Sequence, residues 1–226
     1  MFVRVETRRR AHVPWATLGI VIACVAMSLL EVSGRDPERA LATELGTVPV
    51  RLMSALRFVD HSWLIELQRL FTGLFLHADW PHLLGNVVFV LIFGFASERS
   101  LGSLRFLLLF LVCGALANLI GAVIYASLSS PIIGSSGAVS AIVGAYITLF
   151  PRARLGLVIP LGLVFEFVRM PASALIGLWI LVQILFVIVG PESGALAWPV
   201  HVAGFFLGMI FAFLSRPSIA RRLRGS

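Results

Sequence analysis

The chain has 226 residues, of which 59% are hydrophobic and 13% are charged, and its mean hydropathy is +0.98. So much apolar surface does not fit inside one soluble core of this length, which predicts an integral membrane protein. The net charge of +7 comes from 18 basic residues, all of them Arg. Because they flank apolar runs, they indicate membrane orientation and argue against nucleic-acid binding.

Six apolar runs follow one another along the chain, and each is predicted to be a membrane helix. They cover residues 15–32, 81–97, 104–127, 136–150, 171–190 and 200–215. The first run follows a basic stretch, as a signal peptide would, but it is long enough to span and lacks a small-residue cleavage site, so we expect a retained helix. The prediction is an all-α, six-transmembrane-helix bundle over residues 15–215, with tails at 1–14 and 216–226.

The long first loop, residues 33–80, mixes Leu, Phe and Trp with charges at roughly helical spacing, in PERALATEL and VRLMSALRFVDHSWLIELQRLF. This spacing predicts amphipathic helices at the membrane interface. A further apolar stretch, residues 155–168, contains Pro160 and Glu166. We expect it to be a loop or an interfacial segment and not a seventh span.

The Arg residues are distributed unevenly between the two sides of the predicted bundle. Thirteen of the 18 lie in the two tails and in the second and fourth connections, whereas the short connections 128–135 and 191–199 contain none. Because positively charged segments stay in the cytoplasm, both termini are predicted to be cytoplasmic and the 33–80 loop external.

The two cysteines, Cys24 and Cys113, lie in the middle of apolar runs. They are predicted to be small buried side chains, which implies neither a disulfide nor a metal site.

Four polar side chains are expected near the outer ends of runs that cross from the outside inward. His82 and Asn86 open the second run, Ser136 the fourth and His201 the sixth. The fourth run has only about 15 residues, or roughly 22 Å as a helix, against a hydrocarbon core of ~30 Å. If its inner end reaches the cytoplasmic boundary, Ser136 lies below the outer surface, in a cavity that water must enter.

Small residues predict close contact between the fourth and sixth runs. One face of the fourth carries Gly137, Ser140, Ala141, Gly144 and Ala145, and one face of the sixth carries Gly204, Gly208 and Ala212. Such faces approach closely in lipid, where packing holds helices together. This approach would bring the His201 imidazole beside the Ser136 hydroxyl.

A serine hydroxyl beside a neutral imidazole is typical of acyl transfer, in which the imidazole removes the hydroxyl proton. His82 and Asn86, one helical turn apart, could donate to the developing oxyanion, as could the unpaired backbone N–H of Ser136. No carboxylate lies in a predicted span nearby, so the arrangement would be a dyad. The competing interpretation is that these residues only pack helices, but the shared depth and side of the ionisable groups favours a site.

Four stretches together resemble the rhomboid family of intramembrane serine proteases. They are GSSG at 134–137, HLLGN at 82–86, His77 five residues before His82, and HVAGFFLG at 201–208. Weaker similarity, in QRLFTGLFLHADWPHLLGN, GSLRF and GAYITLFPRAR, extends the resemblance over about residues 63–215.

The resemblance implies a six-helix core, no cofactor, and cleavage of transmembrane protein substrates near their outer membrane boundary. It assigns Ser136 as the nucleophile, His201 as the general base, and His82 and Asn86, with the Ser136 amide, as the oxyanion site. Supporting roles are expected for Gly134, Gly137, Gly204, Gly208 and His77, the last through a structural hydrogen bond. Arg without Lys favours a bacterial source, and hence the cytoplasmic (inner) membrane.

Two positions depart from the family pattern. Ser140 stands where the family commonly has an aromatic residue that stacks on the catalytic His, so Trp198 or Phe205 is expected to compensate. Gln68 and Arg69 stand where a Trp-Arg pair is common.

Two other functions compete with proteolysis. A rhomboid-like protein of weak or no activity that binds membrane clients is slightly favoured by Ser140. A small transporter would need inverted repeats or an intramembrane charge pathway, and the sequence has neither.

Overall fold

The computed structural model describes residues 13–33, 40–58, 62–161, 164–171, 173–174, 176–177, 180–181 and 192–224. Over these ranges the chain is mostly helical. The predicted N-terminal tail and the predicted fifth run, 171–190, lie largely outside the described residues.

The helices occupy most of the predicted apolar runs. They are α1 (Trp15–Ser33), α2 (Ala40–Leu45), α3 (Pro49–Phe58), α4 (Trp63–Thr72), α5 (Trp80–Phe89), α6 (Phe95–Leu101), α7 (Ser103–Leu108), α8 (Gly114–Ile124), α9 (Ser136–Leu149) and α10 (Glu192–Arg224). The π turn Val90–Gly94 joins α5 to α6, and the π turn Leu109–Cys113 joins α7 to α8.

Three helices among the described residues are long and apolar enough to cross a membrane. They are Trp80–Leu101, with 22 residues, Ser103–Ile124, with 22, and Trp198–Pro217, with 20. Two shorter apolar helices, Trp15–Glu31 and Ser136–Leu149, coincide with the first and fourth predicted runs. The lengths and composition are those of an integral membrane protein.

Helix α9 lies at the centre of the packed helices, and its residues from Gly137 to Tyr146 are all buried. It has only 14 residues, fewer than the ~20 that a helix needs to span a bilayer. An apolar helix without a polar face is typically surrounded by protein. Phe93 contacts Tyr146 edge to face at 5.0 Å between ring centroids.

Helices α9 and α10 touch through their backbones, because glycine leaves no side chain between them. A Cβ added at Gly204 would lie 2.1 Å from the carbonyl oxygen of Gly137, and one at Gly208 would lie 1.9 Å from that of Ala141. From the other side, a Cβ at Gly144 would lie 2.0 Å from the carbonyl oxygen of Phe205. The small-residue faces noted in the sequence therefore meet each other.

The helices of the 33–80 region pack against α8. Leu52 of α3 and Leu70 of α4 form a buried apolar cluster with Ala115 and Ala122 of α8. The side-chain amide of Asn118 donates to the carbonyl oxygen of Leu70 at 3.1 Å.

Gln68 stands where the family commonly has Trp, and Arg69, the next residue, is anchored within this region. The Arg69 guanidinium donates through Nε to the carbonyl oxygen of Glu44 at 2.7 Å and pairs with the Glu66 carboxylate.

The segment expected to be a loop or interfacial, 155–168, forms an antiparallel hairpin, so the described chain is not wholly helical. Strand β1 (Arg154–Leu161) pairs with strand β2 (Val164–Pro171), with Arg154 opposite Pro171 and Leu161 opposite Val164. Pro160 cannot continue a helix, and the Val, Ile and Phe residues of this segment favour extended backbone.

Candidate active site

Ser136 is the first residue of α9, and the backbone before it turns sharply. Gly134 has φ +113°, a conformation that glycine adopts far more easily than other residues. The Gly134 N–H donates to the carbonyl oxygen of Gly73 at 2.9 Å. The turn brings the Ser136 hydroxyl to the helix start, where the first N–H groups have no partner within the helix.

His201 lies in the part of α10 that packs on the start of α9. Its Nε2 is 2.7 Å from the Oγ of Ser136, and the His201 side chain is buried. Gly204, about one turn beyond His201, contacts the backbone of Gly137, the residue after Ser136, and so holds the two helices together beside this pair. The predicted serine and histidine are therefore hydrogen-bonded to each other.

His82 and Asn86 lie on one face of α5. The helix begins at Trp80, and the Asp79 carboxylate caps it by accepting from the His82 backbone N–H at 2.7 Å. The His82 ring lies against Gly134, since a Cβ added there would be 2.6 Å from its Cε1. A larger residue at 134 would displace the imidazole.

Asn86 is buried, with 8% of its surface exposed. Its Nδ2 has no hydrogen-bond partner among the described residues. A buried donor without a partner costs stability, and such groups are often explained by function. The Asn86 amide is therefore a buried N–H donor that none of the described residues uses.

His77 precedes α5 and is the second histidine in contact with the GSSG turn. Its Nε2 is 3.2 Å from the Oγ of Ser135, and its ring meets that of His82 edge to face, with centroids 5.3 Å apart. Burial, and after it the charge of the nearby His82, lowers the pKa of His77 to about 4. The ring is therefore neutral at neutral pH.

Three consecutive residues of the turn thus contact three different histidines. Gly134 contacts His82, Ser135 contacts His77 and Ser136 contacts His201. The sequence singles out Ser136 in GSSG and predicts a structural hydrogen bond for His77. It gives no signal that Ser135, the first serine of GSSG, is the partner of His77.

Ser140, which replaces an expected aromatic residue, is buried under α10. Its hydroxyl donates to the carbonyl oxygen of Ser136 at 2.7 Å, and a Cβ added at Gly204 would lie 3.3 Å from the Ser140 Cβ. The Phe205 ring contacts that of Phe206 at 5.8 Å. Compensation by Trp198 or Phe205 stays a prediction.

Within the described ranges, no group of three or more His, Cys, Asp or Glu side chains is arranged to hold a metal ion. The groups that these residues do bring together are a hydroxyl hydrogen-bonded to an imidazole, which acyl transfer requires.

Comparison with known proteins identifies the family. The model of the rhomboid domain matches residues 65–218. A protein of Bacillus subtilis (strain 168), “Putative rhomboid protease YdcA”, is 39% identical over 93 residues, which cover 40% of this chain and 46% of that protein. The match to this relative thus spans about half of the relative's length.

Proposed function

We propose that this chain, which belongs to the rhomboid family, is an intramembrane serine endopeptidase. It would hydrolyse peptide bonds in or near the outer boundary of transmembrane substrate segments. The observation that carries the proposal is the hydrogen bond of 2.7 Å between Ser136 Oγ and His201 Nε2, at the start of a helix too short to span.

In the first half of the reaction, Ser136 is the nucleophile and His201 the base. The Ser136 hydroxyl donates its proton to Nε2 as Oγ attacks the scissile carbonyl carbon. His201 then gives that proton to the departing amine nitrogen, and the carbon–nitrogen bond breaks. The substrate's acyl group is left as an ester on Ser136.

In the second half, water replaces the amine. It gives a proton to His201 and attacks the ester carbonyl carbon. The bond between that carbon and Ser136 Oγ then breaks, His201 returns the proton to Oγ, and the acyl part of the substrate leaves as a carboxylic acid. The 14-residue length of α9 supports this step, because a serine below the outer boundary needs a water-filled cavity.

The negative charge of each tetrahedral intermediate would be held by three donors, namely the His82 ring, the Asn86 amide and the Ser136 backbone N–H. Two observations support this assignment. His82 contacts the turn at Gly134, and the Asn86 amide is buried without a partner among the described residues. Losing one such donor costs on the order of 3 kcal/mol of transition-state stabilisation.

The membrane arrangement that goes with this activity has six spans between residues 15 and 215, an external 33–80 loop with interfacial helices, and cytoplasmic tails at 1–14 and 216–226. The bias of Arg toward the tails and two connections supports it. The membrane would be a bacterial inner membrane, and the partners would be transmembrane substrates and lipid, with no cofactor.

The test is labelling of the purified full chain by a serine-reactive fluorophosphonate probe. We expect labelling of the parent protein and of Ser135→Ala, and none of Ser136→Ala or His201→Ala. Equal labelling of all four proteins would exclude the dyad. Loss of labelling in Ser135→Ala with retention in Ser136→Ala would move the nucleophile to Ser135.

A second function, binding of membrane clients with little or no cleavage, is favoured by Ser140. Cleavage in proteoliposomes of a single-span substrate with helix-breaking residues near its outer boundary separates the two. A protein that labels and cleaves is a protease. One that retains the substrate on co-purification without cleaving it is a client-binding relative.

A further inference from the structure

Ser135 is unsuited to be a second nucleophile, although it has a histidine partner. Its side chain is 1% exposed, whereas Ser136, the next residue, is partly accessible. A substrate carbonyl cannot reach a hydroxyl enclosed by protein. The Ser135 hydroxyl must therefore serve another purpose than attack.

That hydroxyl joins two separate parts of the chain. Ser135 Oγ, in the turn before α9, is hydrogen-bonded at 3.2 Å to Nε2 of His77, which precedes α5. Both residues are buried.

His77 in turn supports the ring that faces Gly134. The His77 and His82 rings are in edge-to-face contact at 5.3 Å. The His77 imidazole therefore contacts both Ser135, the residue before Ser136, and the His82 ring. Any rotation of His77 would move two of the three proposed oxyanion donors.

The main chain of the turn has anchors of its own. Gly134 N–H donates to the carbonyl oxygen of Gly73 at 2.9 Å, and Thr47 and Ile132 exchange backbone hydrogen bonds of 3.1 and 2.7 Å. Removing the Ser135 hydroxyl leaves these contacts in place. The fold of the turn therefore does not depend on the Ser135–His77 hydrogen bond.

We propose that Ser135 and His77 are a positioning pair, whose hydrogen bond aligns the Ser136 N–H and the His82 ring toward the developing oxyanion. The inference rests on the proposed protease function. Neither side chain touches the substrate. Both act through their neighbours.

The test is a double-mutant cycle in the full chain, with Ser135→Ala, His77→Leu and the double variant. Turnover is measured per active site, by titrating Ser136 with the fluorophosphonate probe. Because a small misplacement of catalytic groups lowers rates by up to ~100-fold, we expect each single change to lower kcat about 10-fold with little change in KM. The double variant should be no worse than either single one, because all three lose the same hydrogen bond.

Two further variants separate positioning from loss of structure. Ser97→Ala removes a hydroxyl that is equally buried but has no partner among the described residues, so its kcat should match that of the parent. His77→Gln keeps an N–H donor at about the position of Nε2 and should recover part of the lost kcat, which a purely structural role would not predict.

The outcomes distinguish this inference from the proposed function. If the parent protein labels and cleaves but the variants keep its kcat per titrated site, or if their effects multiply in the double variant, the positioning pair is wrong and the protease stands. A parent protein that neither labels nor cleaves overturns both.

Discussion

Two asparagines buried in membrane helices use their side-chain amides differently. Asn118 donates to the carbonyl oxygen of Leu70 at 3.1 Å and so joins α8 to α4. The Nδ2 of Asn86 has no partner among the described residues, although the side chain is buried. A hydrogen-bonded amide stabilises the fold, whereas an unpaired one has already lost its hydration without compensation.

We therefore predict opposite consequences for Asn86→Ala and Asn118→Ala. Asn86→Ala should lower kcat by about 100-fold or more, as expected for loss of an oxyanion donor, while its thermal midpoint is unchanged or higher. Asn118→Ala should lower the free energy of unfolding by about 1 to 3 kcal/mol, because a buried carbonyl loses its donor. Kinetics per titrated site and thermal unfolding in detergent measure both.

This pair of variants also discriminates between roles. A lower thermal midpoint for Asn86→Ala with unchanged kcat per site would make Asn86 a structural residue and remove it from the oxyanion site.

At the scale of elements, the contact between α9 and α10 determines the distance between Ser136 and His201. Gly208 lies two turns beyond His201, where a Cβ would be 1.9 Å from the carbonyl oxygen of Ala141. Gly208→Ala should push the helices apart, cost about 1 to 3 kcal/mol as overpacking does, and slow labelling of Ser136. Gly19→Ala is the matched control, because nothing lies within 4 Å of its added Cβ.

A result in which Gly208→Ala and Gly19→Ala label at equal rates would show that helix separation does not control the dyad. Thermal unfolding of the same two proteins then reports whether α10 has shifted at all.

A second contact between elements lies away from the dyad and involves Glu98 in the middle of α6. The buried Glu98 carboxylate accepts hydrogen bonds from the backbone N–H groups of Ala16 and Thr17, at 3.1 and 2.7 Å. It also accepts from the hydroxyls of Thr17 and Ser103, at 2.6 and 2.5 Å. The carboxylate therefore caps the start of α1 and ties it to α7.

We predict that Glu98→Gln destabilises the fold and leaves the chemistry intact. The neutral amide loses charge-assisted hydrogen bonds and places an NH2 group among donors, which should cost about 2 kcal/mol or more. The thermal midpoint should fall, while kcat per titrated site stays within about twofold, since no proposed donor moves. A large fall in kcat per site at unchanged stability would contradict this.

At the scale of the whole molecule, the family resemblance found in the sequence is confirmed. The proximity of Ser136 and His201 could be predicted, because the short motifs, the Arg distribution and the small-residue faces can each be read from a short stretch of sequence. The Ser135–His77 hydrogen bond and the role of Glu98 could not, since each depends on how distant segments pack. The hairpin at 154–171 was missed because a short apolar run has no period that separates strand from helix.

The remaining prediction concerns the orientation of the whole chain in the membrane. The Arg bias predicts that the 128–135 connection is outside and the 151–153 turn inside. Single cysteines introduced at Ser130 and Ala153, in a chain with Cys24 and Cys113 replaced by Ala, should react oppositely with a membrane-impermeant maleimide applied to intact cells. Ser130→Cys should be modified, and Ala153→Cys only after permeabilisation. The reverse pattern would put Ser136 near the cytoplasmic face, and proteolysis at the outer boundary would then have to be abandoned even if the dyad proved active.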